Sequence, residues 1–362
     1  MLASHLLVSG RTLQKGNLVY HAPAHPALEI WARWDAEWYL LIAAEGYGAD
    51  ERYLGLPVAY RPGDATGFFP LYPLVIRALG GLGLGPVAAG VLASNLALLL
   101  ALWLLRDLVR RDHGEPAAER ALWVLLAYPT GFFLSAVYAE SMMLACGLAA
   151  LALARRERPL AAGMAAALAA LARPTGALFL IPLLDDLVVR AAAAPGGRRW
   201  LRIAGRAAAV VGPGAAGLAA YALHCRALTG SLVPFLLRQE RWRGATSGPW
   251  RAFVRYFESP QVHGAHNSTI DLGFALLLVA SIPIMFMTLR RSYALYGAAA
   301  VLLPLGSSLW SFSRFSAAIF PFHVVVAVLT ARSARGFAVY LALALPLAGL
   351  FMSMYAGWWW VG

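Results

Sequence analysis

Apolar runs separated by short polar connections make up most of the chain. A transmembrane helix needs about 20 mainly apolar residues, and residues 86–105 form the first convincing run of this kind. The pattern predicts about ten transmembrane or re-entrant helices, at residues 86–105, 121–137, 139–154, 160–172, 175–189, 207–228, 270–289, 293–309, 315–331 and 337–356. The run at 160–172 is too short to cross unaided, so it must be tilted, re-entrant or enclosed by protein. We expect an all-α polytopic integral membrane protein with a single multi-pass domain over residues 1–362.

The composition agrees with a membrane protein. Hydrophobic residues make up 60% of the chain and charged residues 13%, about half the charged share of a soluble domain. Cys146 and Cys225 lie far apart in predicted helices, so they indicate neither a disulfide framework nor a redox compartment. Residues 1–20 have too short an apolar run for a spanning helix and no clear signal-peptide cleavage site. We expect them to be the tail of a first transmembrane helix whose beginning is absent.

The distribution of arginine predicts an orientation. The formal net charge is +12, and arginine-rich connections occur at 106–120, 155–158, 190–206, 290–291 and 332–335. When the spans alternate, these connections all fall on one side, which the positive-inside rule makes cytoplasmic. The basic residues do not form one continuous face, so the sequence predicts no nucleic-acid partner. Membrane lipids are expected partners, since the remaining excess charge at 30–70 and 226–258 could meet lipid phosphates.

Two long segments then face outward: a first outer loop at 30–85 and a second at 229–268. The first contains WARWDAEWYLLIAAEGY at 31–47, which places Asp35 and Glu37 among tryptophans and tyrosines. Such aromatic density suits a membrane–water boundary, where partial desolvation would raise the pKa of a carboxyl group and make it a better base. The alternative is an interfacial anchor helix whose acids face water, and the residues leave both open. Prolines at 70 and 73 argue against a clean helix start in the interfacial segment that follows.

Other polar side chains collect on the predicted outer side. Arg173 lies at a break between two apolar runs, and Arg314 lies in SFSRF. Ionisable groups at membrane depth cost on the order of 2.5–3.5 kcal/mol, so they suggest function. The two arginines could converge on a phosphate, which matches the fork of a guanidinium group. Headgroup anchoring, or a structural pair with Glu140, is the alternative.

A carboxylate and converging arginines at lipid level predict one kind of reaction. Asp35 would take the proton of a hydroxyl group that attacks a sugar anomeric carbon, while arginines stabilise a lipid phosphate leaving group. Such a displacement inverts the anomeric configuration. Asp35 and Glu37 could also bind a divalent cation, but no other carboxylate cluster completes the oxygen shell that Mg²⁺ prefers. We therefore expect no metal site and no cofactor. His266, with His263, could contact phosphate.

Six sequence pieces resemble the PIG-V-like mannosyltransferases of the GT-C glycosyltransferase superfamily. They run in that family's order from about residue 28, as RWDAEWYLLIAAEGY, FFPLYPL, AYPTGFFLSAVYAES, ALARPTGAL, TGSLVPFLLRQERW and SFSRF. The resemblance implies a GT-C type helical bundle that transfers a sugar, usually mannose, from a polyprenyl-phosphate donor at the outer face of the membrane. The acceptor would be lipid-linked or a glycan. It also implies that Asp35 is the catalytic residue.

The remaining site predictions follow from the same motifs. We expect the donor phosphate or its lipid to contact Arg33, Tyr138, Arg173 and Arg314. We expect further substrate contacts at Trp34, Glu37, Trp38, Tyr39, Glu140, Gln239, Trp242 and His266. Glu37 ranks below Asp35, since it looks variable in the family.

The biological setting and the rival functions also follow from the sequence. An arginine-rich, nearly lysine-free chain with alanine-rich helices is typical of a GC-rich bacterium, which places the protein in the cytoplasmic membrane with its active site outward. A transporter or flippase could line its path with the same arginines, although no internal repeat supports one. A catalytically silent lipid-binding partner of another enzyme is the third interpretation.

Overall fold

The computed structural model describes residues 26–48, 63–193, 199–260 and 268–361. Within these ranges the regular elements are helices, which confirms the all-α prediction. The α-helices are α1 Pro26–Glu29, α2 Ala36–Glu45, α3 Leu71–Gly80, α4 Pro86–His113, α5 Glu115–Leu126, α6 Glu140–Arg155, α7 Pro159–Ala172, α8 Leu180–Ala193, α9 Arg199–Thr229, α10 Pro234–Arg243, α11 Arg251–Glu258, α12 Thr269–Thr288, α13 Arg291–Leu305, α14 Phe312–Ser316, α15 Phe320–Thr330 and α16 Ala334–Ala356. Three 3₁₀ segments occur at Asp64–Gly67, Gly131–Leu134 and Pro174–Phe179.

Four of the described helices are long and apolar enough to cross a membrane. They are α4, α12, α16 and the part of α9 from Ile203 to Thr229. Large aliphatic side chains such as Leu99 and Leu343 are exposed on them, as expected where hydrocarbon replaces water around a helix. The chain is therefore an integral membrane protein. The predicted number of about ten spans is not confirmed, because other apolar helices, including α7 and α15, are shorter.

Proline sets several helix boundaries that the hydropathy pattern misplaces. The predicted span at 121–137 is interrupted after α5, where Pro129 precedes a 3₁₀ turn. The residue before a proline is driven out of the helical region, so helices tend to end there. The expectation that Pro70 and Pro73 prevent a clean start is wrong, since α3 begins at Leu71. A proline in the first helical turn is tolerated because its missing N–H has no intrahelical partner.

Small residues bring the central helices close together. Gly163 in α7 faces the backbone of α9 so closely that a Cβ atom there would collide with the carbonyl groups of Ala209 and Val210. Gly147 in α6 lies directly under the ring of Phe179. Helices in membranes associate through such close contacts, because lipid offers no hydrophobic driving force between them. α7 is therefore packed closely against α9 on one face, while Leu160, Met164 and Leu168 are exposed on another.

The arginine-rich connections meet at one end of the bundle. The connection at 106–120 is reached by Arg155 and Arg290, both of which pair with Asp112. Arg190 pairs with Glu157 at 2.8 Å. The connection at 332–335 contacts the one at 106–120, because Arg120 donates to the carbonyl oxygen of Ser333 at 3.2 Å. The prediction that these connections share one side is confirmed.

Candidate functional site

The aromatic-acidic stretch forms a turn and the buried helix α2. Asp35 immediately precedes α2, and its side chain is 29% exposed. Glu37 and Trp38, in the first turn, are buried. An anchor helix with two water-facing acids therefore does not describe this stretch. The turn leaves Asp35 as the acid that a substrate could reach.

Four charged side chains from separate segments form what we call the outer charge network: Asp35, Glu140, Arg173 and Arg314. Nη1 of Arg314 lies 2.7 Å from Oδ2 of Asp35, and its Nε lies 3.5 Å from Oε1 of Glu140. Arg173 also pairs with Glu140, so the structural pair left open by the sequence is present. Two positive and two negative charges balance in this network.

The side chains of the outer charge network differ in how much of their surface is exposed. The side chain of Glu140 is 1% exposed and that of Arg314 is 6% exposed. Burial alone would lower the pKa of Arg314, but the carboxylates of Asp35 and Glu140 raise it above its ordinary value. The guanidinium group therefore stays charged. A small pocket lined by Arg173, Glu140 and Phe315 adjoins the network.

Tyrosines support the network from one side. The hydroxyl of Tyr138 donates to the carbonyl oxygen of Arg33 at 2.8 Å, and its ring centroid lies 5.2 Å from the guanidinium carbon of Arg314. The ring of Tyr39 packs against that of Tyr138 at 6.4 Å. Burial raises the pKa values of Tyr39 and Tyr138, so both remain neutral. They position charged groups and supply no charge themselves.

Arg33 and Trp34 contact residues that are not members of the outer charge network. Nη1 of Arg33 lies 3.2 Å from Oε1 of Glu29, and its guanidinium carbon lies 4.5 Å from the ring centroid of Trp358. Trp34 packs edge-to-face against Trp358 and Trp360. These two predicted site residues therefore pack against the end of the described chain.

The predicted residues of the second outer loop belong to a separate aromatic group. Trp38 stacks on Phe68 with 5.5 Å between ring centroids. The buried guanidinium of Arg238 lies 3.2 Å from the ring centroid of Trp242 and 4.4 Å from that of Trp38. Gln239 is half-buried in the same helix, α10. His266 and His263 lie outside the described residues.

Sequence reasoning missed several residues around Arg314. Asp271 is buried in the first turn of α12, and its Oδ1 accepts the backbone N–H of Ser313 at 2.8 Å. Arg243 donates to the carbonyl oxygens of Ser308, at 3.0 Å, and Trp310. These contacts hold the segment that leads into α14, which carries Arg314. The signal for Asp271 was available, since an acid at the start of an apolar run suggests a role.

Tyr355, near the end of α16, was also missed. Its buried hydroxyl accepts the backbone N–H of Arg33 at 3.2 Å and donates to the carbonyl oxygen of Trp31 at 3.3 Å. It thereby fixes the backbone on either side of Ala32, just before Asp35. A tyrosine at this place in an apolar run is common in membrane proteins, so its sequence position gave no signal.

The described ranges contain no group of three or more histidine, cysteine, aspartate or glutamate side chains arranged to hold a metal ion. Asp35 and Glu37 were the pair considered for a divalent cation. They differ in environment, since Glu37 is buried while Asp35 is partly exposed.

Comparisons with known proteins give little support for any family. No family model matches the chain, and no curated protein sequence matches it. A crystal structure of the Archaeoglobus fulgidus oligosaccharyltransferase, in complex with zinc and sulfate, aligns with a TM-score of 0.45 and 13% sequence identity. The alignment covers 99% of this chain and 53% of that one, so the chain spans about half the length of the archaeal protein. At this TM-score the likeness establishes neither the fold nor an activity, and the resemblance to PIG-V-like mannosyltransferases stays a prediction.

Proposed function

We propose that the chain is an inverting membrane glycosyltransferase. It would move a sugar, mannose by the resemblance of its motifs, from a polyprenyl-phosphate donor to a lipid-linked or glycan acceptor at the outer face. The observation that carries the proposal is the exposure of Asp35. It is 29% exposed, whereas the side chains of Glu140, Arg173 and Arg314 are 1%, 14% and 6% exposed. One accessible carboxylate on a buried, charge-balanced network suits a general base.

The geometry supports different roles for the two oxygen atoms of the Asp35 carboxylate. Oδ2 is held by Arg314 at 2.7 Å, which fixes the orientation of the group. Oδ1 is the oxygen that would take the proton of the acceptor hydroxyl. The hydroxyl oxygen then attacks the anomeric carbon, and the bond from that carbon to the phosphate oxygen breaks. The bonding electron pair leaves with the phosphate, while Asp35 retains the proton.

The donor phosphate would lie against Arg173 and Arg314. Arg173 and Phe315 line the small pocket, and the guanidinium carbons of Arg173 and Arg314 each lie 5.2 Å from the ring centroid of Phe315. Their positive charges would oppose the negative charge that develops on the departing phosphate in a site with little water. Glu140 pairs with both arginines, so it would keep them in place before the donor arrives.

The proposal is tested by sugar transfer from radiolabelled polyprenyl-phosphate-mannose in membranes. We expect Asp35→Asn to lower the transfer rate by about 10²–10⁴-fold, the usual contribution of a general base. Asp112→Asn is the matched control, because Asp112 pairs with Arg155 at the opposite end of α6. We expect transfer by the wild type to survive EDTA, since the sequence predicts no metal site.

Two results would contradict the proposal. Undiminished transfer by Asp35→Asn would remove Asp35 as the base. Saturable donor binding without transfer to any lipid or sugar acceptor would instead indicate a transporter, a flippase or a silent lipid-binding protein.

A further inference from the structure

Three tryptophans pack together next to the outer charge network, one immediately before Asp35 in the chain and two at the end of the described residues. The ring centroid of Trp34 is 5.8 Å from that of Trp358 and 5.4 Å from that of Trp360. Arginine side chains border this group, since the guanidinium carbon of Arg33 lies 4.5 Å from the Trp358 centroid and that of Arg314 lies 5.2 Å from the Trp360 centroid. We call Trp34, Trp358 and Trp360 the tryptophan cluster.

The tryptophan cluster has hydrogen-bonding capacity that the protein does not use. Within the described residues, the indole Nε1 atoms of Trp34, Trp358 and Trp360 are buried without a hydrogen-bond partner, and so is Nε of Arg33. Buried polar groups are almost always paired in native structures, because an unpaired donor loses its bond to water and gains nothing in return. All of these atoms are donors. The group therefore suits a ligand that presents several acceptor oxygens.

The backbone of the cluster is strained in the same place. Trp34 has a φ of 58° and Trp358 a φ of 64°, in the left-handed region that bulky residues rarely adopt. Such strain persists where the surrounding structure enforces it, and it concentrates at binding and catalytic sites. Two strained tryptophans whose rings contact each other indicate that their placement serves a ligand.

The free donors of the cluster favour a neutral ligand with several acceptor oxygens, because three of the four are uncharged indole N–H groups. The arginines that border the cluster already have partners, since Arg33 is paired with Glu29 at 3.2 Å and Arg314 with Asp35 at 2.7 Å. A pyranose ring offers hydroxyl oxygens to the N–H donors, and its weakly positive C–H groups can pack on the negative faces of the indoles.

We propose that the tryptophan cluster is a carbohydrate-binding subsite that holds the acceptor sugar next to Asp35. The indole N–H groups of Trp358 and Trp360 donate to its hydroxyl oxygens, and the free hydroxyl that attacks lies towards Oδ1 of Asp35. This assignment rests on the proposed function for its place in the reaction. The binding of sugar itself requires no transfer and is tested separately.

Binding is measured by saturation-transfer NMR on the purified full chain in detergent, with methyl α-mannopyranoside and a mannose disaccharide as probes. Trp358→Phe and Trp360→Phe keep an aromatic ring and remove the N–H group. We expect each to raise the Kd for sugar by about 5- to 30-fold, as for the loss of a buried hydrogen bond. Trp103→Phe, at a 60% exposed residue of α4, should have no effect. Equal affinity in all variants would overturn the subsite.

Transfer kinetics distinguish the acceptor sugar from the sugar of the donor. In Trp358→Phe we expect the acceptor KM to rise by about the same factor as the Kd, with the donor KM unchanged. A rise in the donor KM alone would overturn the assignment to the acceptor. Sugar binding that depends on Trp358 in a chain without transfer activity supports the subsite and contradicts the proposed function. Failure of the sugar subsite and failure of the proposed function therefore give different results.

Discussion

At the scale of single residues, the outer charge network depends most on Arg314. Its guanidinium contacts both Asp35 and Glu140, and its side chain is 6% exposed. Removing one partner of a buried ion pair costs about 3–5 kcal/mol, because the other charge is left uncompensated. Arg314→Ala would therefore confuse a loss of folding with a loss of function. A change that keeps the charge is the sharper test of its role.

We expect Arg314→Lys to raise the KM for polyprenyl-phosphate-mannose about tenfold or more, because lysine keeps the charge but lacks the planar fork that matches phosphate. The measurement is a donor titration in the transfer assay. Arg155→Lys is the control, since Arg155 is a partly buried arginine paired with Asp112 far from Asp35. An unchanged donor KM in Arg314→Lys would remove Arg314 from the phosphate site.

Individual site residues can be recognised in the sequence, and a pair with Glu140 was one interpretation, but the contact between Asp35 and Arg314 could not be predicted. Asp35, Glu140, Arg173 and Arg314 stand out because ionisable groups within apolar runs are expensive. Asp35 and Arg314 are 279 residues apart, and no periodicity within a segment reports contacts at such distance. The tryptophan cluster could not be recognised in the sequence for a different reason. Tryptophans at the end of a span commonly anchor the helix at the interface, so Trp358 and Trp360 looked ordinary.

At the scale of helices, the short helix α7 is packed closely against α9. A Cβ atom on Gly163 would meet the carbonyl oxygens of Ala209 and Val210, which cannot move without bending α9. Gly205 provides a contrast, since a Cβ atom added to this residue of α9 would enter open space. The two glycines allow packing to be separated from helix propensity.

We expect Gly163→Ala to destabilise the protein by about 1–3 kcal/mol through overpacking. Gly205→Ala should leave the stability unchanged or raise it by about 0.4–1 kcal/mol, since alanine reduces the freedom of the unfolded chain. The midpoint of thermal unfolding in detergent reports both effects. An equal shift of the midpoint in the two variants would contradict the close contact between α7 and α9.

Helix positions follow from hydropathy, whereas helix ends do not. The run predicted at 270–289 corresponds closely to α12, Thr269–Thr288, where Ser268 caps the start by accepting the N–H of Asp271. The run predicted at 315–331 is instead divided between α14 and α15. Pro321 lies in the first turn of α15, where a proline is favoured because its missing N–H has no intrahelical partner. Average hydropathy does not report where a helix begins or ends.

At the scale of the whole molecule, charged groups collect at two ends of the bundle. α6 joins them, with Glu140 at its first residue and Arg155 at its last. Its 16 residues extend over about 24 Å at 1.5 Å per residue. The arginine-rich connections meet around Asp112 at one end, and Asp35 lies at the other. The predicted orientation assigns the first end to the cytoplasm.

That orientation predicts a labelling pattern in intact bacterial cells. On a background in which Cys146 and Cys225 are replaced by alanine, Ser247→Cys should react with a membrane-impermeant maleimide. Arg332→Cys should react only after lysis, because it lies in an arginine-rich connection. Both residues are exposed in the structure, so access to reagent depends on the side of the membrane. The reverse pattern would place Asp35 on the cytoplasmic side.

The hydrogen bond between the backbone of Arg33 and the hydroxyl of Tyr355 has a consequence for the synthesis of the protein. The two residues are 322 positions apart, and chains grow at about 5–20 residues per second. Roughly 15–65 s therefore pass between the emergence of Arg33 and that of its partner. For most of this interval the segment with Asp35 lacks Arg314 as well as Tyr355, and for the last part of it Tyr355 alone. A chain that stalls before α16 therefore has Asp35, Glu140, Arg173 and Arg314 but lacks the tyrosine that holds the backbone just before Asp35.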